Sequence, residues 1–331
     1  MKVLVVSQPE VARLLPMPDC IEAMAEALRQ LALGQAVMPL RQVMRLEDRR
    51  AAFAAMPAYA PSQAALGIKV ITVYPENPQA GYESHQGAIV LFEAEHGSLK
   101  AILDAAEVTA IRTAAVSAVA TRALARPEAR DLAILGSGVQ ARTHLEAMLH
   151  VRPVKRVRVW SRTPEHARAF AERESKRHGI EIEPAGSARG AVKEADLICT
   201  VTAARQPILK GDWIAPGTHI NAVGSSVRTA RELDAAAVRR ARLFVDRRES
   251  ALAEAGDFLL AKEEGAVGDD HIQGELGDVL LGKVPGRRSA DEITLFKSLG
   301  LAVEDLAAAQ VVVAKAAAQN AGTWVELSGN R

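Results

Sequence analysis

Three basic residues stand in surroundings that solubility alone does not call for. Lys69 lies in the apolar run GIKVITVY, Arg112 among the small residues of AIRTAAVSA, and Arg41 closes MPLR. A guanidinium grips a carboxylate in a fixed plane, and an ammonium with apolar neighbours loses proton affinity and becomes an acid near neutral pH. Periodicity leaves a second reading open, in which both side chains lay their stems on apolar surface and send their heads to solvent. Another kind of chemistry is written at residues 133–148, AILGSGVQARTHLEAM. A short apolar run ends in Gly136-Ser137-Gly138-Val139-Gln140-Ala141, and an amphipathic stretch follows. This is a G-x-G-x-x-A turn between a strand and a helix, the setting in which the pattern binds a dinucleotide. Gly136 permits the tight turn, Gly138 admits a pyrophosphate against the backbone, and Ala141 lets helix and strand pack closely. The helix start at Val139 and Gln140 offers free N–H groups to the anion.

The choice of dinucleotide is read at the end of the next strand, Arg156–Trp160. NAD-binding versions place an acidic residue about 20 residues beyond the glycines, on the ribose 2′-OH. Here the strand runs into Ser161-Arg162-Thr163, with no carboxylate. A guanidinium and two hydroxyls suit a 2′-phosphate, so NADP(H) is the expected cofactor and NAD(H) the second choice.

These residues need elements to carry them. Residues 2–6 read as a strand, and Pro18-Asp19 open a helix with Ile21, Met24, Ala25, Leu28 and Leu31 on one face. From Pro39 to about Leu103 short β-like pieces follow, at 41–46, 51–56, 67–74, 88–93 and 98–104, with a hairpin turn at His96-Gly97. They predict an antiparallel sheet or open barrel. An alanine-rich helix from Glu107 to Leu124 is stopped by Pro127. Strands at 131–135, 156–160, 180–183, 196–201, 219–223 and 242–246 then alternate with helices, which predicts an α/β domain with a parallel sheet. The stretch 265–278 reads as a loop with a short helix. From about Thr294 the chain reads as helix.

Composition narrows the class. The chain has 331 residues, enough for two domains. Net charge is +1 and the arginine pairs are scattered, so no nucleic-acid footprint is expected. No apolar window has the length of a membrane span, and the four-residue apolar start before Ser7 is too short for a signal peptide. Two distant cysteines, Cys20 and Cys199, fit a reducing cytoplasm. Asp269-Asp270-His271 cannot converge on one ion from a regular element, so no metal is expected. His144 and His150 read as structural, and Cys199 as core.

Four motifs in order, RTAAVSAVAT, LGSGVQARTHLEA, INAVGSS…RELD and FKSLGLAVED, resemble the ornithine cyclodeaminase/μ-crystallin family from about Pro39 to Asp305. The resemblance implies a Rossmann NAD(P)-binding domain, residues 113–296, and an α+β domain, residues 1–112 and 297–331, that binds substrate and forms a homodimer through its β-structure. It implies that Arg41, Lys69 and Arg112 meet a substrate carboxylate. It also implies that Ser84, His85 and Arg112 reach the cofactor, that Thr202 and Val223 contact it from strand ends, and that Ser298 lies near the nicotinamide. The cyclodeaminase branch carries an aspartate two residues past the glycine of NAVG, where this chain has Ser226, now a candidate substrate contact. Ser226 and Arg162 resemble the μ-crystallin, or ketimine reductase, branch. The implied activity is NADPH-dependent reduction of a cyclic ketimine carboxylate, with Lys69 as proton donor or as a third carboxylate contact. Ornithine cyclodeamination, alanine-dehydrogenase-like chemistry and simple storage of a small acid are the alternatives.

Overall fold

The structure is a computed structural model and describes residues 2–327. The chain divides into two units. One comprises the described residues through Arg112 and those from Gly300 onward, the other Thr113–Leu299.

The first unit is built on β1 (Lys2–Val6), β2 (Gln42–Leu46), β3 (Ala51–Ala60), β4 (Ala65–Val73), β5 (His85–Phe92) and β6 (Leu99–Asp104). With β15 (Thr323–Glu326) they form one mixed sheet in the order β15-β1-β6-β5-β4-β3-β2. β1 and β6 are parallel and the other pairs antiparallel. All six expected strands are present, in an open sheet whose edges are β15 and β2. β3 runs on past the expected end, through Pro57. Proline is tolerated there because the outer neighbour is interrupted: Gln42 faces Ala55 and Val37 bridges to Tyr59, so no carbonyl waits for an N–H at position 57.

Residues of β4 alternate, with Ala65, Gly67, Lys69 and Ile71 on the buried face. Helix α11 (Ala302–Gln319) packs on that face. A Cβ at Gly67 would stand 3.1 Å from Leu306 Cδ2, so the missing side chain lets the helix lie close to the strand. The short α1 (Gln8–Leu14) and the amphipathic α2 (Met17–Ala32) complete the cover, with Ile21, Met24, Ala25 and Leu28 of α2 buried as their spacing predicts. Helix α3 (Ala105–Leu124), which the division cuts after Arg112, begins where Asp104 Oδ1 accepts the Glu107 N–H at 2.8 Å.

The second unit alternates as expected. Its strands are β7 (Asp131–Leu135), β8 (Arg156–Trp160), β9 (Ile182–Pro184), β10 (Leu197–Thr200), β11 (His219–Ala222), β12 (Arg242–Val245), β13 (Ile272–Glu275) and β14 (Thr294–Lys297). Between them run α4 (Val139–Val151), α5 (Pro164–His178), α6 (Ala188–Val192), α7 (Ala235–Arg240), α8 (Arg248–Glu254), α9 (Gly256–Glu263) and α10 (Leu276–Leu280). The sheet is wholly parallel, in the order β13-β12-β14-β11-β10-β7-β8-β9. The order reverses between β7 and β10, which is where open α/β sheets form their ligand crevice. Two expectations need correction. The region around 265–278 holds a strand, β13, besides its short helix, and the chain from Thr294 begins with a strand, β14, and ends with another, β15, on either side of α11. Ile293-Thr294-Leu295-Phe296 is a short, fully buried apolar run that inserts between β11 and β12. Gly300, at φ +80°, separates it from α11.

Among the described residues no helix is long and apolar enough to cross a membrane.

Candidate active site

In the first unit Lys69 and Arg112 converge on one carboxylate. Lys69 comes from the buried face of β4, Arg112 from α3, and Asp305 from the first turn of α11. Asp305 Oδ2 lies 2.8 Å from Lys69 Nζ, and its Oδ1 accepts from Arg112 Nε at 2.8 Å. Arg112 Nη1 donates to Glu304 Oε2 at 3.0 Å, and the same oxygen accepts the Leu301 N–H at 3.0 Å. None of the four side chains is more than 4 % exposed, which excludes the reading in which Lys69 and Arg112 send their heads to solvent.

Glycine and helix geometry let these charges meet. A Cβ at Gly300 would lie 2.5 Å from Arg112 Nη1, so a bare backbone is needed against the guanidinium. Asp305 and Glu304 occupy the first turn of a helix, where the macrodipole favours anions. Arg41 joins them: its Nη2 donates to the Gly300 carbonyl at 3.4 Å.

Lys69 is the group with altered acidity. Burial lowers its pKa most, Asp305 opposes the fall, and the charges of Arg112 and Arg41 add to it, leaving it at about 8. Its Nζ is ion-paired with Asp305 Oδ2 at 2.8 Å and donates to Thr109 Oγ1 at 3.4 Å. His85, at the start of β5, has its Nδ1 2.9 Å from Ser84 Oγ. Desolvation and then the Lys69 ammonium hold its imidazole below the usual range, so it is neutral at pH 7.

The second unit carries the remaining expected residues. Gly136 has φ +131°, and a Cβ there would meet the Val201 carbonyl at 2.8 Å. Gly138, the residue before α4, faces open space: a Cβ would have nothing within 4 Å. Val139 and Gln140 form the first turn of α4, whose N–H groups a helix cannot satisfy itself. Ser161 Oγ accepts from Ser137 Oγ at 3.1 Å, joining the glycine turn to the end of β8. Arg162 is exposed and makes no ion pair among the described residues. Thr163 caps α5, and the first carboxylate beyond β8, Glu165, pairs with Arg168 at 2.6 Å. Thr202, Val223 and Ser298 follow β10, β11 and β14. The Ser298 hydroxyl and Gln140 Oε1 are buried with no hydrogen-bond partner among the described residues. An open glycine backbone, a bare helix start and two orphaned polar atoms fit a bound dinucleotide. Ser226 is exposed, beside Ser225, whose hydroxyl donates to the Ala230 carbonyl. Of the two histidines expected to be structural, His144 is buried between the Gln140 carbonyl and Ser117 Oγ, whereas His150 is exposed in the last turn of α4.

Parallel sheet, strand-order reversal and glycine turn define a Rossmann-type dinucleotide-binding protein with an added α+β unit. The chain belongs to the ornithine cyclodeaminase/mu-crystallin family, which it matches over residues 1–320. It is 44 % identical over 279 residues to the ketimine reductase mu-crystallin of Mus musculus, covering 84 % of this chain and 85 % of that protein. Two solved structures resemble it closely. Thermococcus litoralis Δ1-pyrroline-2-carboxylate reductase, in complex with NADH and L-proline, gives a TM-score of 0.95 at 40 % identity, over 97 % of this chain and 99 % of that one. An archaeal alanine dehydrogenase dimer with bound NAD gives 0.94 at 32 % identity, over 99 % and 100 %.

Sequence reasoning had no direct sign of Glu304 or Asp305 as partners of the cations. The available signal was two acidic residues opening a helix of otherwise small and apolar residues, in LAVEDLAAA. Removing Asp305 leaves two buried cations without their shared partner. Asp305→Ala is expected to lower stability by about 3–5 kcal/mol and to push the Lys69 pKa further below 8. Urea unfolding and a Lys69-resolved NMR titration measure the two effects; a loss under about 1 kcal/mol would show that the carboxylate does not hold the pair.

Proposed function

We propose that the protein is an NAD(P)H-dependent imine reductase that converts cyclic ketimine carboxylates, pyrroline-2-carboxylate or piperideine-2-carboxylate, to the cyclic amino acids. The observation that carries this reading is the Lys69 ammonium: buried, ion-paired with Asp305, and lowered to a pKa of about 8. Such a group is a matched acid for an imine nitrogen. Arg41 and Arg112 take the substrate carboxylate and set the ring plane. Lys69 gives its proton to the ring nitrogen. When bound, the nicotinamide supplies the hydride that completes C=N reduction to CH–NH. Ser84 and His85 flank this chemistry from the start of β5, and the neutral His85 adds no further positive charge.

The second unit holds the cofactor at Gly136, Gly138, Val139 and Gln140. Thr202, Val223 and Ser298 serve the nicotinamide half. Ser161, Arg162 and Thr163 receive the adenosine ribose, and the absence of a carboxylate there favours NADPH. The relatives support a nicotinamide dinucleotide in general, since the two matched structures hold NADH and NAD. Ser226 has no carboxylate to handle the amine of ornithine, which weighs against cyclodeamination.

The active form is a homodimer. Edge strand β2 is exposed along its length, with Val43 and Met44 at 47 % and 58 % accessible and Val37 beside it at 67 %. An apolar open edge of this kind is covered by pairing with a second copy about a twofold axis. The archaeal alanine dehydrogenase is a dimer. Cys20 and Cys199 are both free and buried, in keeping with a reducing cytoplasm.

NADPH oxidation with pyrroline- and piperideine-2-carboxylate, beside pyruvate plus ammonia and ornithine plus NAD, tests the reaction class. Cyclic imines should consume NADPH, and ornithine should release little ammonia. Ornithine turnover at a rate rivalling imine reduction would make the protein a cyclodeaminase instead.

Cofactor choice has its own test. Arg162→Ala should weaken NADPH relative to NADH by about 1.5–3 kcal/mol, the worth of a lost charged hydrogen bond. Equal loss for both, measured by cofactor titration, would remove Arg162 from the 2′-phosphate.

A further inference from the structure

Glu232 lies between β11 and α7 and is fully buried. Its Oε1 accepts from Thr202 N at 2.6 Å and from Thr202 Oγ1 at 2.7 Å, and its Oε2 accepts from Gly224 N at 2.8 Å. Thr202 stands two residues beyond β10, and Gly224 two residues beyond β11. One carboxylate therefore ties the segments that leave two adjacent parallel strands. The tie has no slack, because a Cβ on Gly224 would overlap the Thr202 carbonyl and stand 2.6 Å from Glu232 Oε1.

Glu232 is itself anchored. Its N–H and that of Leu233 donate to Asp257 Oδ1 at 2.7 and 2.9 Å. Asp257 Oδ2 lies 2.9 Å from Lys297 Nζ, and both side chains are almost wholly buried. Lys297 is the last residue of β14, next to Ser298. A buried ionic chain of this kind is weak as a source of stability, since apolar residues of the same volume would serve as well. What it supplies is fixed geometry at the strand ends.

Those ends belong to one half of the crevice. Past the reversal at β7, β8 leads to Ser161 and Arg162, while β10 and β11 lead to Thr202 and Gly224. A dinucleotide spans such a reversal with one mononucleotide on each side. We propose that Glu232 is a positioning residue for the nicotinamide half of the cofactor, acting through Thr202 and Gly224. The inference rests on the nicotinamide-dinucleotide reading above.

Binding in the absence of substrate tests it. NADPH is titrated by fluorescence, and 2′,5′-ADP, which carries only the adenosine half, by calorimetry; NADH and ADP-ribose are the matched pair should the wild type prefer NADH. Glu232→Gln offers one acceptor where the two segments need two. It should bind NADPH about tenfold more weakly, the worth of one lost buried hydrogen bond, and 2′,5′-ADP within about twofold of wild type. Unchanged NADPH binding overturns the inference, and so does equal weakening of both probes, which marks general loosening. If the glutamine variant does not fold, Glu232→Asp keeps the charge but is one methylene too short to reach both segments, and the same outcomes apply. A wild type that binds no nicotinamide nucleotide overturns the underlying reading, an outcome distinct from a variant that matches a tightly binding wild type.

Discussion

Asp305 holds two cations that would otherwise repel each other out of sight of water. Lys69 and Arg112 are buried, and each points to a different oxygen of the same carboxylate. Burying either without an anion would be costly, because removing an unpaired ion from water costs several kcal/mol. Asp305 can act as anchor because it opens α11, where backbone N–H groups favour negative charge, and because Gly67 and Gly300 remove the side chains that would keep helix, strand and guanidinium apart. The contact that fastens α11 to β4 and α3 is thus the one that sets the acidity of Lys69. Burial and neighbouring cations pull the lysine toward neutrality, and Asp305 stops the fall at about 8.

The second unit works by a different economy. There the backbone carries much of the design: a left-handed glycine at 136, open space at Gly138, and the unsatisfied start of α4. Side chains tie segments together, Ser137 to Ser161 through their hydroxyls and Glu232 to Thr202 and Gly224 through the backbone N–H groups of those two residues. A nucleotide of fixed chemistry needs a rigid cradle, whereas an imine that must gain a proton needs a group of tuned pKa.

Much of this was legible in the chain. Six parallel strands and the glycine turn read correctly because each is local: a short apolar run, a turn residue, a helix start. Strands β1 to β6 of the first unit read correctly for the same reason, though Pro57 hid the end of β3 and the edge strand β15 went unread. β14 did not, since Thr294–Lys297 is a strand only through its neighbours β11 and β12. The basic half of the site was visible as three cations in odd company. Its acidic half was not, because Asp305 lies 236 and 193 residues from Lys69 and Arg112 in sequence and meets them only through folding. Glu232 was visible as part of a motif but silent as to its partners, which are backbone groups of two other segments.

Lys69 as proton donor is the claim on which the chemistry turns. It is tested most directly by single-turnover reduction of pyrroline-2-carboxylate at saturating substrate, followed across pH in the wild type and in Lys69→Ala. A donor with a pKa of about 8 is charged below that pH and lost above it, so the wild-type rate should fall as pH rises through about 8. The variant should lose that dependence and run roughly 100-fold slower or worse, while still binding substrate. A variant that keeps a near-full rate and the wild-type pH profile would contradict the donor role, leave Lys69 as a carboxylate contact only, and assign the proton to water or to the substrate.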